Sequence, residues 1–370
     1  MRIGVPKEIK NHEYRVSLLP EHIAVLSASG HECRVEIDAG AAIGYDDQQY
    51  RNVGAIIVKD GKTVYSESEL IVKVKEPQAL ECEWLNQNHI LFGFLHLAAN
   101  LELVQALQQS KASCIAYETV SDAAGHLPLL TPMSEIAGRM SIQAAIHHLE
   151  NPQGGRGVLL GGVPGVAPAK VLIIGGGVVG TQAAAVAVGL GADVTVLDRS
   201  IPRLRELQEL FSGRVKTLAA HAYLIEQEII DADVVIGAVL VSGAKAPKVI
   251  SRKMIRKMKS GSVIVDVAID QGGCFETSKP TNHDAPTFVV DGVIHYCVAN
   301  IPGAVALSAT QALTNATFPM VAMIANLGLE KALDNPGLAS GLNIYQGKLL
   351  SREVAESLNL PHTKFGQIFA

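Results

Sequence analysis

The segment VLIIGGGVVG, residues 171–180, decides the fold of this 370-residue chain. Four branched apolar residues predict a strand buried on both faces, and this strand runs directly into a G-x-G-x-x-G turn. An alanine-rich stretch follows, which predicts a helix, and a second strand over Asp193-Leu197 then ends at Asp198. This order of strand, glycine turn, helix, strand and acidic residue predicts a dinucleotide-binding domain.

Each glycine of the turn has a physical purpose in such a domain. Gly175 permits the tight turn, Gly177 lets a pyrophosphate approach the backbone, and Gly180 allows the helix to pack closely on the strand. The helix begins at Val178 and Val179, where free N–H groups can bind the phosphates. A purely structural glycine turn is the competing interpretation, but it would not require the second strand or its terminal acid.

Asp198 sets the expected choice of cofactor. It follows Gly180 by 18 residues and is placed to accept hydrogen bonds from the adenosine ribose diol. Its charge would repel a 2′-phosphate, so the sequence predicts NAD rather than NADP. The adjacent Arg199 is the feature that favours the opposite choice.

Short apolar strands alternate with helices on both sides of this segment. The first series of expected strands is Met1-Val5, Cys33-Ile37, Ala55-Val58, Leu70-Val74, Ile90-Phe94 and Ser113-Tyr117. The second series is Val171-Ile174, Asp193-Leu197, Val215-Leu218, Val234-Ala238, Val263-Val267 and Thr287-Val290. Such alternation predicts an α/β protein with mostly parallel sheets that are covered by helices on both faces.

Capping residues predict where several helices begin and end. A helix begins at Pro20 and is closed by Gly30. Ser134 caps a second helix that continues to about Glu150, and Pro319 begins another in the C-terminal part.

The length of the chain predicts two domains rather than one. The second series of strands forms a complete nucleotide domain, so residues 131–304 are expected to be an NAD-binding Rossmann domain. This domain is inserted within a substrate domain made of residues 1–130 plus 305–370.

Composition excludes several classes of function. A net charge of −5 without a basic stripe argues against nucleic acid, and residues 1–15 lack the apolar core of a signal peptide. The uncharged stretches 171–192 and 300–329 contain glycine, proline or polar residues, which predict buried turns and helices rather than a membrane span. Five scattered cysteines without a CxxC pair predict a reduced, cytoplasmic protein, and no metal-ligand spacing occurs.

Several motifs resemble those of alanine dehydrogenases. They are MRIGVPKE (1–8) with EYRV (13–16), VKVKEP (72–77), FLHLA (94–98), the glycine turn, DVAIDQGG (266–273) and VANIPGAV (298–305). The resemblance spans nearly the whole chain, in order and at family spacing. It implies two doubly wound, Rossmann-like parallel-sheet domains with the active-site cleft between them, in a homo-oligomer that is often a hexamer. The implied reaction is the reversible, NAD-dependent deamination of L-alanine to pyruvate and ammonium.

The resemblance also assigns roles to residues. It implies that Arg15 and Lys75 hold the substrate and that His96 and Asp270 carry the chemistry. Beyond the glycine turn, the implied NAD-contacting positions are Ser134, Asp198, Arg203, Val239, Leu240, Val267, Ala268, Ile269, Asp270, Lys279, Val298, Ala299, Asn300 and Ile301.

These residue types suit the chemistry, although each also permits a structural interpretation. A guanidinium such as that of Arg15 can bind a carboxylate bidentately, and an imidazole such as that of His96 can exchange protons near neutral pH. Arg15 could equally be a surface arginine, and His96 could pack in the core. Leu130, Met133 and Phe94 could form a pocket for the alanine methyl group or could be ordinary core residues.

Two choices depend on the resemblance alone. Lys73 and Lys75 are two residues apart, so both are expected on the same face of a strand, where either could face a ligand or form a salt bridge. Asp266 and Asp270 could both orient a histidine or relay protons, and an aspartate before glycines is often only a turn residue. The resemblance selects Lys75 and Asp270.

Three other functions fit parts of the pattern. The nucleotide-binding component of a proton-translocating transhydrogenase resembles alanine dehydrogenase over this length, but the full set of Arg15, Lys75, His96 and Asp270 argues against it. A lysine-forming saccharopine dehydrogenase would need extra polar groups in its pocket. A non-catalytic NAD-binding regulator would bind NADH without converting any amino acid.

Overall fold

The protein consists of two compact units, seen in a computed structural model that describes residues 1–239 and 246–368. The first unit comprises residues 1–133 together with 305–368, and the second comprises residues 134–239 and 246–304. The second unit is therefore an insertion in the sequence of the first.

Fifteen strands are present in the residues that the structure describes. Those before the insertion are β1 (Arg2–Val5), β2 (Glu32–Glu36), β3 (Ile56–Val58), β4 (Leu70–Val72), β5 (Ile90–Gly93) and β6 (Ser113–Ala116). The inserted unit contains β7 (Lys170–Ile174), β8 (Asp193–Asp198), β9 (Lys216–Ala219), β10 (Val234–Gly237), β11 (Val263–Asp266), β12 (Thr287–Val290) and β13 (Val293–Tyr296). The last two are β14 (Leu342–Tyr345) and β15 (Lys348–Leu349).

Helices connect these strands. Those of the first 150 residues are α1 (Pro20–Ala28), α2 (Asp47–Asn52), α3 (Gly61–Glu67), α4 (Ala79–Cys82), α5 (Leu101–Ser110) and α6 (Thr131–Leu149). They are followed by α7 (Val178–Gly189), α8 (Ile201–Leu210), α9 (Ala222–Asp231) and α10 (Arg252–Ile255). The C-terminal helices are α11 (Ala306–Leu327), α12 (Leu329–Ala332), α13 (Pro336–Ser340) and α14 (Arg352–Leu358).

Each unit is built on one mostly parallel sheet. The strand order of the first sheet is β15-β14-β6-β5-β4-β1-β2-β3, and that of the second is β12-β13-β11-β10-β7-β8-β9. The pairs β6–β14, β14–β15 and β12–β13 are antiparallel, and they lie at one end of each sheet. The predicted α/β fold with two mostly parallel sheets is confirmed.

The central strand of the second sheet shows why its sequence is apolar throughout. Val171 and Ile173 of β7 belong to one buried apolar cluster, whereas Leu172 and Ile174 belong to another. Because successive side chains of a strand point to opposite faces, these two clusters lie on the two sides of the sheet. Helices therefore cover both faces, as in a doubly wound fold.

Helix α6 begins earlier than the sequence predicted. Its first residue is Thr131, so Ser134 lies inside the first turn and does not cap the helix. Pro132 is the signal that marks the true start, because proline lacks an N–H and is favoured at the first positions of a helix.

The prediction that Pro319 begins a helix is wrong. Pro319 lies inside α11, which continues without a break from Ala306 to Leu327. The helix buries a long face that includes Leu313, Val321 and Ile324, and this packing outweighs the one backbone hydrogen bond that proline removes.

Three strands were missed because they are short and lie in hairpins. β13 follows a turn at Asp291 and Gly292, and β15 follows a turn at Gln346 and Gly347. In both turns the two residues have positive φ, which is the signature of a tight hairpin turn. Asp-Gly is a recognisable signal for such a turn, whereas Gln-Gly is a weaker one.

Within the described ranges, no helix is both long enough and apolar enough to cross a membrane. The five cysteines are all free, and four of them are buried.

Candidate functional site

The glycine turn after β7 has the geometry that a dinucleotide needs. Gly175 has a φ of +102°, and a Cβ there would lie 2.5 Å from the carbonyl oxygen of Ala238. A Cβ on Gly180 would lie 1.9 Å from the carbonyl oxygen of Gly175, so helix and turn could not approach as they do. A Cβ on Gly177, in contrast, would meet open space, and Val178 beside it is exposed. The N-terminus of α7 is thus accessible to a phosphate group.

Asp198 and Arg203 are tied to this turn. The Asp198 carboxylate accepts hydrogen bonds from the N–H groups of Gly176 (2.7 Å) and Ser200 (2.8 Å). Arg203 donates through Nε to the Gly176 carbonyl and through Nη2 to Thr181 Oγ1, both at 2.7 Å. Both predicted cofactor residues therefore lie at the turn, and each carboxylate oxygen of Asp198 keeps a lone pair for a further donor.

The other predicted cofactor positions gather at the same edge of the second sheet. Parallel strands end at a common edge, and the residues that follow β7, β8, β10, β11 and β13 meet there. This set contains the glycine turn, Asp198, half-buried Val239, Val267 to Asp270, and Val298 to Ile301. Ser134 is half-buried in α6, Lys279 is exposed beyond the loop after β11, and Leu240 lies outside the described residues.

The structure separates Asp266 from Asp270. Asp266 is fully buried and accepts hydrogen bonds from the N–H groups of Ala268 and Cys274 and from the Ser278 hydroxyl. Burial raises the pKa of the Asp266 carboxyl, although these hydrogen bonds oppose the shift. Asp266 thus organises the loop after β11, whereas Asp270 is exposed in a short 3-10 turn on that loop.

In the first unit, Arg15 is buried rather than on the surface. Only 2% of the residue is exposed. Its Nε and Nη2 atoms donate to the two carboxylate oxygens of Glu13, at 2.7 and 2.5 Å, and Nη1 lies 2.9 Å from the Met133 sulfur. Burial alone would raise the pKa of Glu13, but the charge and hydrogen bonds of Arg15 lower it to about 2. The pair is therefore ionised at neutral pH.

The two lysines after β4 have different surroundings. The Lys73 ammonium is 1% exposed and forms ion pairs with Glu8 (3.1 Å) and Glu81 (2.6 Å). Burial raises the pKa of Glu8 to about 7, against the lowering effect of the Lys73 charge. Among the described residues no ion pair or side-chain hydrogen bond of Lys75 is formed, although its charge lowers the pKa values of Glu13 and Glu76. Lys73 is thus a buried structural ion, and Lys75 has the freer ammonium.

His96 follows β5 in an unusual backbone conformation. Its φ is +49°, and its N–H donates to the Glu118 carboxylate at 2.6 Å. The imidazole is 30% exposed, packs near the Phe94 ring, and its Nδ1 lies 3.2 Å from a Glu76 oxygen. Burial would raise the pKa of Glu76, but the hydrogen bond and charge of His96, with the charges of Lys75 and Lys10, lower it well below its usual range.

Three of the four residues expected to act on the substrate are thus connected in the first unit. Arg15 binds Glu13, His96 binds Glu76, and Lys75 lies near enough to both carboxylates to stabilise their charges. Phe94 and Met133 are buried, and Leu130 is half-buried. Asp270 belongs to the second unit.

Sequence reasoning missed the carboxylates that hold these groups. Two of them lie inside the motifs named above. Glu13 is two residues before Arg15, and Glu76 directly follows Lys75. Glu118 is distant in sequence, and no local pattern marks it. A buried cation requires an anionic partner, so the prediction that Arg15 is functional could have prompted a search for nearby acids.

Comparison with known proteins gives consistent results. Residues 4–137 match the family described as alanine dehydrogenase/PNT, N-terminal domain, and residues 141–352 match its C-terminal domain. The chain is 56% identical over 365 residues to an alanine dehydrogenase of Halomonas elongata, covering 98% of both chains. It is 49% identical over 371 residues to one of Mycobacterium tuberculosis, covering 100% of both.

Solved structures agree with these sequence matches. A structure titled L-alanine dehydrogenase superposes with a TM-score of 0.91 at 50% identity, covering 97% of this chain and 99% of that one. A transhydrogenase structure from Sinorhizobium meliloti has a TM-score of 0.79 at 23% identity, covering 95% of this chain and 99% of that one, and this likeness concerns the fold alone.

Proposed function

Because this chain belongs to the alanine dehydrogenase/PNT family, we propose that it is an NAD-dependent alanine dehydrogenase. In this proposal it catalyses the reversible oxidative deamination of L-alanine to pyruvate and ammonium. The observation that carries the proposal is the linked set of Arg15, Lys75 and His96, which offers two cations and one partly exposed imidazole.

The two cations suit the substrate carboxylate. Arg15 has five N–H donors, and its guanidinium is already oriented by Glu13, so it can bind a carboxylate without losing side-chain freedom. Lys75 adds a second positive charge that is not neutralised by an ion pair within the described residues. Together they fix the carboxylate and leave Cα free to react.

The imidazole of His96 supplies proton transfer. The glycine turn and Asp198 would hold NAD, which would supply the hydride acceptor for the alanine Cα. Loss of one amino proton and of this hydride would leave an iminium group on the substrate. His96 takes a proton from a water molecule as the water oxygen bonds to the iminium carbon, and it returns that proton to the nitrogen. The C–N bond then breaks as the new hydroxyl becomes the ketone carbonyl, and the hydroxyl proton passes to the departing ammonia. The products are pyruvate and ammonium, and the overall deamination releases one proton. Asp270 stabilises the cationic iminium in this proposal.

The second unit fits NAD. The accessible N-terminus of α7 suits the pyrophosphate, and Asp198 suits an unmodified ribose diol at the end of β8. A 2′-phosphate would be repelled by Asp198, so NAD is preferred over NADP.

The proposal also covers the cellular compartment, the oligomeric state and the binding partners of the enzyme. We infer a cytoplasmic homo-oligomer, a hexamer by resemblance to the family, that binds neither nucleic acid nor membranes. Five free cysteines fit a reducing compartment. Apolar residues exposed on the second unit, among them Leu159, Val163 and Val166, fit a subunit interface.

The reaction is tested by mixing the purified protein with NADH, ammonium and pyruvate and following NADH absorbance. Samples without ammonium, and samples with 2-oxoglutarate in place of pyruvate, serve as controls. Rapid oxidation that requires both pyruvate and ammonium is expected. NADH binding without oxidation in any sample would favour a regulator or a transhydrogenase component instead.

His96→Ala separates catalysis from cofactor binding. We expect turnover to fall by about 100-fold or more, since general acid–base catalysis contributes about that much, while the Kd for NADH stays nearly unchanged. His126→Ala removes an exposed histidine and is the matched control. Full activity of His96→Ala would remove His96 from the mechanism.

A further inference from the structure

The carboxylate of Glu76 occupies a position that the reaction does not explain. It lies 3.2 Å from Nδ1 of His96 and also pairs with the Lys10 ammonium. Its side chain is 13% exposed, so its charge is placed away from bulk water. A carboxylate that is mostly buried is kept in its charged form only by partners such as these.

The contact with Glu76 determines which imidazole nitrogen carries the proton. An ionised carboxylate only accepts hydrogen bonds, so Nδ1 of His96 must be the donor. In the neutral imidazole, Nε2 is then unprotonated and available as a base. The other tautomer would place two acceptors against each other at 3.2 Å.

A second carboxylate fixes the backbone that carries this imidazole. Glu118 accepts hydrogen bonds from the N–H groups of Leu95 (3.2 Å) and His96 (2.6 Å). These bonds hold His96 at a φ of +49°, where residues other than glycine rarely lie. Backbone and ring are therefore held by two different acidic residues from separate parts of the chain.

From these contacts we propose that Glu76 is a positioning residue that holds His96 in the tautomer with a basic Nε2. The proposal rests on the proposed function, because it assigns Nε2 as the atom that exchanges protons with water and substrate nitrogen. In this proposal Glu76 acts through His96 and not by direct contact with substrate or cofactor.

The cations around Glu76 complete the arrangement. Lys10 pairs with the carboxylate, and Lys75 lies near it, so Glu76 remains ionised while His96 gains and loses its proton. Among the described residues, Glu76 and Glu118 bond to His96, and the charges of Lys10 and Lys75 act on Glu76. Within the described part of the chain only Glu76 bonds to the ring, so its removal should change the proton chemistry of His96 most directly.

The test is the Glu76→Gln variant, assayed for alanine deamination over a range of pH. We expect kcat to fall by about 10- to 100-fold, part of the contribution of acid–base catalysis, with KM for alanine changed less than about threefold. We also expect the acid limb of the kcat/KM profile to move to lower pH, because the protonated imidazole loses its carboxylate partner. Glu76→Asp keeps the charge, so it should return the acid limb towards its original position.

Two controls exclude a merely structural effect. Glu83→Gln makes the same change of charge on an exposed residue of the same segment, and it should leave kcat and the pH profile unchanged. Lys10→Met breaks the Lys10–Glu76 ion pair but leaves the Glu76–His96 contact. If Lys10→Met reproduced the whole effect of Glu76→Gln, the ion pair rather than the histidine would be responsible, and the proposal would be overturned.

A measurement without catalysis separates this proposal from the proposed function. Diethyl pyrocarbonate reacts with unprotonated imidazole, so mass spectrometry of the His96 peptide at several pH values reports the protonation of this side chain. The midpoint of labelling should lie at lower pH in Glu76→Gln than in the unmodified protein. A shifted midpoint in a protein without alanine dehydrogenase activity would refute the function but retain the pairing. An unshifted midpoint, or Glu76→Gln activity within twofold of the original, would overturn the positioning role.

Discussion

At the scale of single residues, Lys73 and Lys75 differ in the partners that surround their ammonium groups. Lys73 neutralises Glu8 and Glu81 in the core, whereas Lys75 stabilises carboxylates that orient the candidate catalytic groups. Both lysines are buried, but only Lys73 forms ion pairs among the described residues, so its removal leaves the larger uncompensated charge. The two residues should therefore respond differently to the same substitution.

Lys73→Met is expected to destabilise the protein by about 3–5 kcal/mol, because it breaks a buried ion cluster. Lys75→Met is expected to lower the free energy of unfolding by less, because Lys75 forms no ion pair among the described residues, but to raise KM for pyruvate by about tenfold or more through the loss of one charged hydrogen bond. Urea unfolding and steady-state kinetics measure the two effects, each variant being the control for the other. The opposite result would assign substrate binding to Lys73.

Glu13 gives a dependence of stability on pH. Its pKa in the folded protein is about 2, below the ordinary value of 4.5, so its contribution is fully present above pH 4.5 and is lost as the pH falls towards 2. The shift corresponds to about 3 kcal/mol. Glu13→Gln should thus be destabilised at pH 7, and its deficit relative to the original protein should shrink between pH 4.5 and 3. Urea unfolding at fixed protein concentration tests this, and a constant deficit would contradict it.

The sequence could not reveal these differences between residues. Lys73 and Lys75 have the same chemistry and the same alternation, and the acids that distinguish them come from other segments. Asp266 and Asp270 are equally similar in sequence, yet only Asp266 receives hydrogen bonds from the loop that surrounds it. Roles of this kind depend on contacts between distant parts of the chain, so a family resemblance could name them but local pattern could not.

At the scale of elements, β7, the glycine turn and α7 form the part that the sequence predicted best. Strand, turn and helix all follow from local rules, since glycine spacing and apolar runs act over a few residues. The short hairpin strands β13, β14 and β15 were missed because their pairing depends on neighbours rather than on a long apolar pattern. Pro319 misled the prediction for the converse reason, since packing kept α11 continuous across it.

The glycines at the two ends of α7 provide a matched pair of variants. Gly177→Ala places a methyl group in open space where a pyrophosphate would lie, so the Kd for NADH should rise by about tenfold while stability is preserved. Gly189→Ala also meets open space, but at the far end of α7, and should leave NADH affinity unchanged and raise stability by up to about 1 kcal/mol. Fluorescence titration with NADH and urea unfolding measure both.

Equal NADH affinity in the Gly177→Ala and Gly189→Ala variants would mean that the pyrophosphate binds elsewhere. Gly180→Ala is the structural counterpart, because its Cβ would collide with the Gly175 carbonyl. That variant should lose stability as well as affinity.

At the scale of the whole molecule, exposed apolar residues are candidates for the subunit interface of the proposed homo-oligomer. Val163 and Val166 bond to each other's backbone in a tight turn of the second unit, and their exposed fractions are 53% and 62%. Such residues are typical of surfaces that bind another protein chain. Whether they lie in a subunit interface can be tested by measuring the molar mass of the protein in solution.

Val166→Asp is expected to lower the molar mass measured by light scattering, from a multiple of 39.2 kDa towards that of a single chain. A charge is costly to bury at an apolar subunit interface. Leu210→Asp introduces the same charge at an exposed position on α8 and should leave the mass unchanged. An unchanged mass for Val166→Asp would place the interface on another surface.

The nested order of the two units has a consequence for synthesis on the ribosome. The described residues of the inserted unit all lie between residues 134 and 304, so all of its described strands can leave the exit tunnel before the last part of the first unit has been translated. The first sheet cannot be completed until later, because β14 pairs with β6 and is translated more than two hundred residues after it. At about 5–20 residues per second, that interval lasts roughly 10–45 s. Until then β6 is an exposed edge strand of the nascent chain, which can pair with another chain. Chaperones would be most useful against aggregation during this interval.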